Sequence, residues 1–247
     1  MISAASSDTS VVSYLTDPAH WNGPAGIPTR LLEHTEYTLI ALAVAAAIAL
    51  PLGLLIGHTG RGSFLVINLG NAARSLPTLG VLILVVLLTS VGFIPVLVAL
   101  VALAIPPILT ATYAGIRSVD RDITDAARGM GMTPPQVLFR AEVPVALPVV
   151  VSGLRSAALQ VVATATVAAY VALGGLGRFV IDGLAVHDYG QMLAGAVRVA
   201  VLAIAFDLAL AGVQRLIVSP GVTGRFRASR TSAPLDPTLL SEAPGSM

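Results

Sequence analysis

The four histidines are the side chains of this sequence best suited to bind a metal ion or transfer a proton. None of them lies in a motif with metal-ligand spacing such as H-E-x-x-H, and the nucleophile motif G-x-S-x-G does not occur. The chain has no cysteine, which excludes disulfides and thiolate metal sites. We therefore predict no catalytic residue, no metal site and no cofactor in this chain. The histidines are His20, His34, His58 and His187.

Nucleotide binding is the second chemistry to consider. All fourteen basic residues are arginine, whereas a P-loop needs a lysine on the nucleotide phosphates. The glycine-rich stretch Gly174–Gly177 lacks the G-x-G-x-x-G spacing of a dinucleotide site, and we interpret it as a flexible turn. If ATP drives this protein, another chain must bind the ATP and its Mg²⁺.

The elements that position these residues are predicted to be membrane helices. Hydrophobic residues make up 55% of the chain and charged residues 11%, against about 25% charged in a soluble domain. A bilayer core needs roughly 20 apolar residues in a helix. We predict an all-α integral membrane protein of about five transmembrane helices without an internal repeat. The predicted spans are 37–56, 64–89, 93–113, 145–170 and 192–218.

The distribution of arginine predicts the orientation of these spans. Cytoplasmic loops carry an excess of basic residues. One side of the predicted membrane holds only Arg30 and Arg178, so we place the N-terminus outside and the C-terminus in the cytoplasm. Residues 1–34 form an extracytoplasmic segment, 35–218 the transmembrane domain, and 219–247 a disordered tail rich in Ser, Pro and Thr. The other side holds Arg61, Arg117, Arg121, Arg128, Arg140, Arg215, Arg225, Arg227 and Arg230.

Two ionisable residues lie at predicted membrane depth, where charge is costly and marks a partner or a wet cavity. Asp207 falls near the middle of the last span, and Arg74 in the second span beside Ser75 and Pro77. One interpretation is a structural ion pair or hydrogen bond between helices. The other is that these four residues mark a translocation pathway, because irregular backbone is tolerated in a bilayer only against protein or water. Arg155 is expected to extend its charge towards the cytoplasmic interface.

The cytoplasmic loop at 117–144 carries two predicted helices. The first covers Asp122–Arg128, and Gly129 and Gly131 are expected to end it, since glycine readily takes the left-handed geometry of a C-cap. In isolation this loop could equally form a helical hairpin beneath its own bundle or a docking surface for a partner.

The second helix has a strong start signal. Thr133 can cap it, Pro134 suits the first helical position, and Gln136 completes a capping box. Phe139 belongs to a short apolar patch on this helix. Pro144 is expected to end it.

The same loop resembles the EAA loop of ABC importer permeases, E-A-A-x3-G-x9-I-x-L-P. Here Asp125-Ala126-Ala127 is followed by three residues, Gly131, nine residues and 141–144, which read Ala-Glu-Val-Pro. Segments 74–80, 106–116, 174–177 and 193–197 resemble the osmoprotectant group of that family in the same order. The resemblance covers roughly residues 27–217.

This resemblance implies a type I ABC importer permease fold and a set of partners. A cytoplasmic ATPase dimer would dock on Asp125, Ala126, Ala127, Gly131, Thr133, Phe139 and Pro144. A second permease subunit, identical or a sister, would complete the pathway in the bacterial inner membrane, among its lipids. An extracytoplasmic binding protein would supply the solute, because this chain has one tryptophan and few aromatic residues for a quaternary ammonium cage. No nucleic-acid partner is implied.

Other functions remain open at this point. An ABC permease for another solute, such as methionine, is the nearest alternative. A secondary transporter or channel is less favoured, since many secondary transporters show two related halves and no repeat is evident here. A membrane enzyme is disfavoured by the lack of a catalytic cluster in the sequence.

Overall fold

Helices form the whole of the regular structure in the described part of the chain. The computed structural model describes Tyr14 and residues 17–171 and 174–218. The tail predicted at 219–247 and residues 1–13 lie outside the described residues. Short 3-10 turns cover Pro18–His20 and Ala169–Val171. The α-helices are α1 (Ile27–Thr59), α2 (Ser63–Ser75), α3 (Thr78–Leu88), α4 (Phe93–Arg117), α5 (Arg121–Gly129), α6 (Pro134–Val137), α7 (Val143–Ala168), α8 (Gly177–Val186) and α9 (Tyr189–Ile217).

Four helical runs are long and apolar enough to cross a membrane, and a bent pair raises the number to five. The four are α1, α4, the run Pro134–Val171 and α9. The bent pair is α2 with α3, whose axes differ by 99°. Leu76, between them, has an extended backbone (φ −82°, ψ 129°), as expected for a residue that precedes proline. The predicted all-α class with about five spans and an interruption at Ser75–Pro77 is confirmed.

Close contacts through glycine hold the central helices together. A Cβ on Gly53 of α1 would lie 2.7 Å from Cβ of Thr112 on α4, and one on Gly57 would lie 2.8 Å from Cβ of Ile116. Gly153 of α7 packs in the same way against Ala111 of α4. Lipid tails are as apolar as leucine, so membrane helices associate by such close packing rather than by a hydrophobic drive. Helix α4 is therefore fixed between α1 and α7.

Helices α8 and α9 pack on each other and on the outer side of α7. Within α9, the Arg198 guanidinium lies over two neighbouring aromatic rings, with its central carbon 5.4 Å from the ring centroid of Tyr14 and 4.9 Å from that of Phe179. Such contacts stabilise a guanidinium that is withdrawn from water. The remaining surface of α9 is apolar and exposed, for example at Val201 and Leu208, as expected of a helix that faces lipid or another membrane helix.

The prediction that Pro144 ends the second cytoplasmic helix is wrong. Helix α6 passes through a π-turn at Leu138–Glu142 directly into α7, so that Pro144 lies in the first turn of α7. In the π-turn the N–H of Val143 donates to the carbonyl of Leu138, five residues back. A proline normally clashes with the carbonyl four residues earlier, and the wider π-turn relieves this clash. The helical run therefore continues for 38 residues.

Candidate functional site

A cavity of about 610 Å³ opens at membrane depth where the break between α2 and α3 faces α4 and α7. Leu76 and Thr78 of the break line one side. Pro106 and Pro107 of α4 line another side, and α7 supplies the most polar wall. The lining residues are Gly70, Ala73, Leu76, Thr78, Leu103, Pro106, Pro107, Thr110, Ala111, Ala114, Val149, Ser152, Gly153, Ser156 and Gln160.

The polar wall of the cavity follows from the spacing of residues on α7. Ser152, Ser156 and Gln160 are separated by four residues each, which places them on one face of a helix. Thr110 adds a hydroxyl from α4, although it donates its hydrogen to the carbonyl of Pro106 at 2.8 Å. The cavity thus presents uncharged hydrogen-bonding groups, three of them on α7, together with alkyl groups from the other helices.

An ion pair joins α7 and α9 outside this cavity. Two nitrogens on one edge of the Arg155 guanidinium, Nε and Nη2, donate to the two carboxylate oxygens of Asp207 at 2.8 Å. The Gln214 side chain lies 3.5 Å from Nη1. The Arg155 charge is thus held by a carboxylate on the neighbouring helix, and its expected extension towards the cytoplasmic interface stays a prediction. Asp207 is absent from the cavity lining among the described residues, and its role in a pathway stays a prediction.

The other residues predicted for the pathway lie at the helix break. Arg74 is in the last turn of α2, and its side chain lies outside the described part of the structure. Ser75 ends α2, and its hydroxyl donates to the carbonyl of Ala72 at 2.8 Å. Pro77 caps the start of α3. The structure brings this break to the edge of the cavity through Leu76 and Thr78.

At the end of the bundle near α5, the chain makes a sharp turn with left-handed geometry. Helix α5 starts at Arg121, where the Asp120 side chain accepts from the N–H of Asp122 at 3.0 Å. Gly129 stays helical, contrary to expectation, and Gly131 alone takes the left-handed conformation, with φ +82°. The N–H of Met132 donates to the carbonyl of Ala127 at 3.2 Å, the six-residue closure of a Schellman motif.

The second helix of this segment begins at its predicted cap. The Gln136 side chain accepts from the N–H of Thr133 at 2.8 Å, and Pro134 is the first helical residue. Val137 is completely buried and anchors the segment beneath the bundle, whereas Phe139 is 62% exposed. Aromatic side chains presented on a fixed backbone are typical of protein contacts.

The predicted docking residues therefore divide into anchoring and exposed groups. Ala127 is buried, while Asp125 and Ala126 are exposed and Pro144 is half-buried. Met130 is 72% exposed beside Gly131. Met130 and Phe139 give the segment an apolar contact surface, which we call the docking surface.

A contact that the sequence does not predict links this segment to α1. Nδ1 of His58, near the end of α1, lies 2.7 Å from Oε2 of Glu142 in the π-turn. The two side chains are 15% and 8% exposed. A polar cavity of about 420 Å³ lies beside them, with Arg117 and Arg121 in its wall. The partners are 84 residues apart in the chain, so local sequence gives no signal for this contact.

Residues 49–219 match the family of binding-protein-dependent transport system inner membrane components. The chain belongs to this family. The choline transport system permease protein OpuBB of Bacillus subtilis is 34% identical over 193 residues, which cover 78% of this chain and 89% of the relative. The glycine betaine/carnitine/choline transport system permease protein OpuCB of the same species is 33% identical over 192 residues, 78% of this chain and 88% of the relative.

Solved structures of ABC transporters share the fold of this permease. An inward-facing MetNI methionine ABC transporter matches with a TM-score of 0.70 at 22% identity, covering 78% of this chain and 96% of that chain. An amino acid ABC transporter matches with a TM-score of 0.62 at 18% identity, covering 77% and 93%. The predicted type I ABC importer permease fold is confirmed.

Family membership selects the transport class among the functions that the sequence left open. The permease is a membrane-embedded transport subunit, and the secondary transporter and the membrane enzyme lose their support. The cavity, the Arg155–Asp207 pair and the docking surface all lie within the matched residues. The spacing of Ser152, Ser156 and Gln160 in an apolar span was the signal that could have located the cavity from sequence.

The glycine-rich stretch Gly174–Gly177, at the opposite end of the bundle, is held by hydrogen bonds, whereas the sequence predicts a flexible turn. The N–H of Gly175 donates to the Glu33 carboxylate at 2.7 Å, and the same carboxylate oxygen accepts from Arg30 at 2.9 Å. Gly175 has φ +85°, a conformation that favours glycine. This turn is held against α1 by a charge-assisted hydrogen bond.

Proposed function

We propose that this permease is the translocation subunit of an ATP-driven importer for osmoprotectants such as glycine betaine, carnitine and choline. Relatives at 33–34% identity over most of both chains carry these solutes in their names. A methionine importer is the alternative, and its support is a shared fold at 22% identity.

The observation that carries the mechanism is the continuity of one helical run from the docking surface to the cavity. Phe139 lies near the start of the run Pro134–Val171, and the polar wall Ser152–Gln160 lies further along it. A helix transmits an axial push because each turn is hydrogen-bonded to the next. The π-turn at Leu138–Glu142 and Pro148 interrupt the regular hydrogen-bond ladder, but the chain stays helical between them, so movement imposed at Phe139 passes along one helical run to the cavity wall.

In this proposal a separate pair of ATPase subunits binds ATP and Mg²⁺ and closes on the docking surface. This chain, which has no lysine and so cannot form a P-loop, contributes no nucleotide site of its own. Asp125, Ala126, Gly131 and Thr133 shape the surface, and Ala127 and Pro144 anchor it to the bundle.

The remaining partners follow from the shape of the cavity and the arginine distribution. The cavity is open along one side, and a second permease subunit, identical or a sister, would close it. The arginine-rich end near α5 faces the cytoplasm, so the N-terminus is outside. A binding protein delivers solute to the opposite end. Arg74, Ser75 and Pro77 mark the helix break beside the pathway, and Asp207 holds α9 to α7 through Arg155.

The left-handed turn at Gly131 gives a direct test of docking. An added Cβ meets nothing within 4 Å at either Gly131 or Gly129, so Gly131→Ala and Gly129→Ala differ mainly in backbone conformation. A left-handed alanine costs about 1–2 kcal/mol, whereas alanine suits the helical Gly129. We expect Gly131→Ala to weaken recovery of the ATPase with the purified permease by about tenfold, and Gly129→Ala to leave it unchanged. Equal recovery for both variants would refute docking through this turn.

Transport itself is tested in proteoliposomes that contain the permease, its ATPase and the loaded binding protein. We expect uptake of glycine betaine, carnitine or choline that requires internal ATP. Uptake that proceeds without the ATPase would contradict the importer. ATP-dependent uptake of methionine in place of these solutes would contradict the substrate class and leave the importer intact.

A further inference from the structure

Three polar side chains of α7 face the cavity without a hydrogen-bond partner within the described residues. Threonines on the transmembrane helices normally donate back to their own helix, as Thr110 and Thr112 do at 2.8 and 2.7 Å. Ser152, Ser156 and Gln160 make no such bond in the described part of the chain. Their hydrogen-bonding capacity is directed into the cavity.

These three side chains lie on the face of α7 that lines the cavity, so their unpaired hydrogen-bonding groups need partners inside it. Ala158, on the opposite side of the same helix, is fully buried, whereas Ser152 and Ser156 are exposed to the cavity. An unsatisfied polar group in the hydrocarbon region costs several kcal/mol. The cavity must therefore supply partners, either water or a solute that passes through it.

The lining selects which part of a solute these residues can hold. Among the described lining side chains there is no carboxylate and no aromatic ring, so a quaternary ammonium meets neither a counter-ion nor a cation–π surface. The hydroxyl and amide groups of the polar wall donate hydrogen bonds, which a carboxylate accepts strongly. The start of α3 at Thr78 also faces the cavity, and a helix N-terminus carries partial positive charge.

We propose that Ser152, Ser156 and Gln160 form a contact site for the carboxylate of a zwitterionic quaternary ammonium solute. This site rests on the proposed importer function. The methyl groups of the ammonium pack on the alkyl side of the cavity, at Ala73, Leu76 and Pro106. Glycine betaine and carnitine carry the carboxylate that the site recognises, whereas choline carries a hydroxyl group and is held less firmly.

The absence of cysteine in the chain allows a direct measurement. Ser156→Cys introduces a single thiol into the cavity, and Ser118→Cys places one at the exposed end of α4 as a control. The rate of thiol alkylation is measured in the complete transporter with glycine betaine, choline or tetramethylammonium chloride. We expect glycine betaine to slow alkylation at position 156 at about tenfold lower concentration than choline, the equivalent of one hydrogen bond to a charged group. Position 118 should not respond to any of them.

Two results would overturn the carboxylate site. Equal protection by tetramethylammonium would show that the cavity holds the ammonium group, and absence of protection by any solute would show that the wall is not a contact site. A second variant, Gln160→Leu, should reduce ATP-dependent uptake of glycine betaine more than that of choline. Uptake by the unsubstituted transporter is recorded in separate vesicles of the same composition. If the unsubstituted transporter shows no uptake, the importer proposal fails rather than the carboxylate site.

Discussion

The contact between His58 and Glu142 predicts that docking and transport can be separated by one substitution. Its Nδ1 and Oε2 atoms lie 2.7 Å apart, and the carboxylate side chain is 8% exposed. Removing one partner of a buried pair costs about 3–5 kcal/mol. We expect His58→Ala to cost about 3 kcal/mol, the lower end of that range, because the neighbouring polar cavity gives the carboxylate access to water. Glu142→Gln keeps the size and an acceptor, and should cost about 1 kcal/mol.

The free energy lost in each variant is energy that fixes the π-turn against α1. Phe139 and Met130 keep their exposure in both variants, so the ATPase should still be recovered with the permease. The push at the docking surface, however, would no longer reach α1 through a fixed contact. We expect His58→Ala to lower the number of solute molecules transported per ATP, with a smaller effect for Glu142→Gln. Glu36→Gln, the same substitution on an exposed residue of α1, is the matched control.

The measurement combines three readings from one preparation: recovery of the ATPase, ATP hydrolysis stimulated by the loaded binding protein, and solute uptake. Uncoupling appears as hydrolysis that is retained while uptake falls. If His58→Ala lowers all three together, the contact only stabilises the fold. If it leaves the transport ratio unchanged at full recovery, force does not pass through this contact and the reasoning is refuted.

Two further predictions concern the helix contacts. Gly53→Ala places a methyl group against Thr112 and should lower the thermal stability of the purified permease by overpacking, about 1–3 kcal/mol. Gly212→Ala, where an added Cβ meets nothing within 4 Å, is the control and should leave the melting temperature unchanged. Equal melting temperatures for the two variants would show that α1 and α4 separate freely. Asp207→Leu leaves Arg155 without its counter-ion at membrane depth. This single substitution should reduce the yield of folded permease more than the double replacement of Asp207 and Arg155 by leucine. If the yield of the double variant is no higher than that of the single one, Asp207 has a role other than pairing.

Features set by local chemistry could be predicted from the sequence. The break at Ser75–Pro77 follows from the restriction that proline places on its predecessor. The turn at Gly131 and the cap at Thr133 depend on residues within one helical turn of each other, and both are found where expected. The number of membrane helices follows from run length and composition. These predictions require no knowledge of which helices are neighbours.

Features that depend on packing could not be predicted in this way. The Arg155–Asp207 pair joins residues 52 positions apart, and its identification needs the proximity of α7 and α9. The sequence predicts a helix end at Pro144 because a proline after a polar helix normally ends it, whereas the π-turn that lets the helix continue leaves no local signature. The anchored turn at Gly175 likewise depends on Glu33, whose proximity is a property of the fold.

The glycine contacts suggest how force from the docking surface is distributed. It enters α7 through continuous helix and α1 through the His58–Glu142 contact. Both helices meet α4 at glycine positions, Gly53 on α1 and Gly153 on α7, where an added Cβ would collide with a side chain of α4. The three helices should therefore move as one body. Because the cavity lies between this body and the α2–α3 break, a push on the docking surface changes the cavity mainly by shifting the polar wall relative to Leu76 and Thr78. The break, rather than the central helices, is then the element whose flexibility sets how the pathway opens.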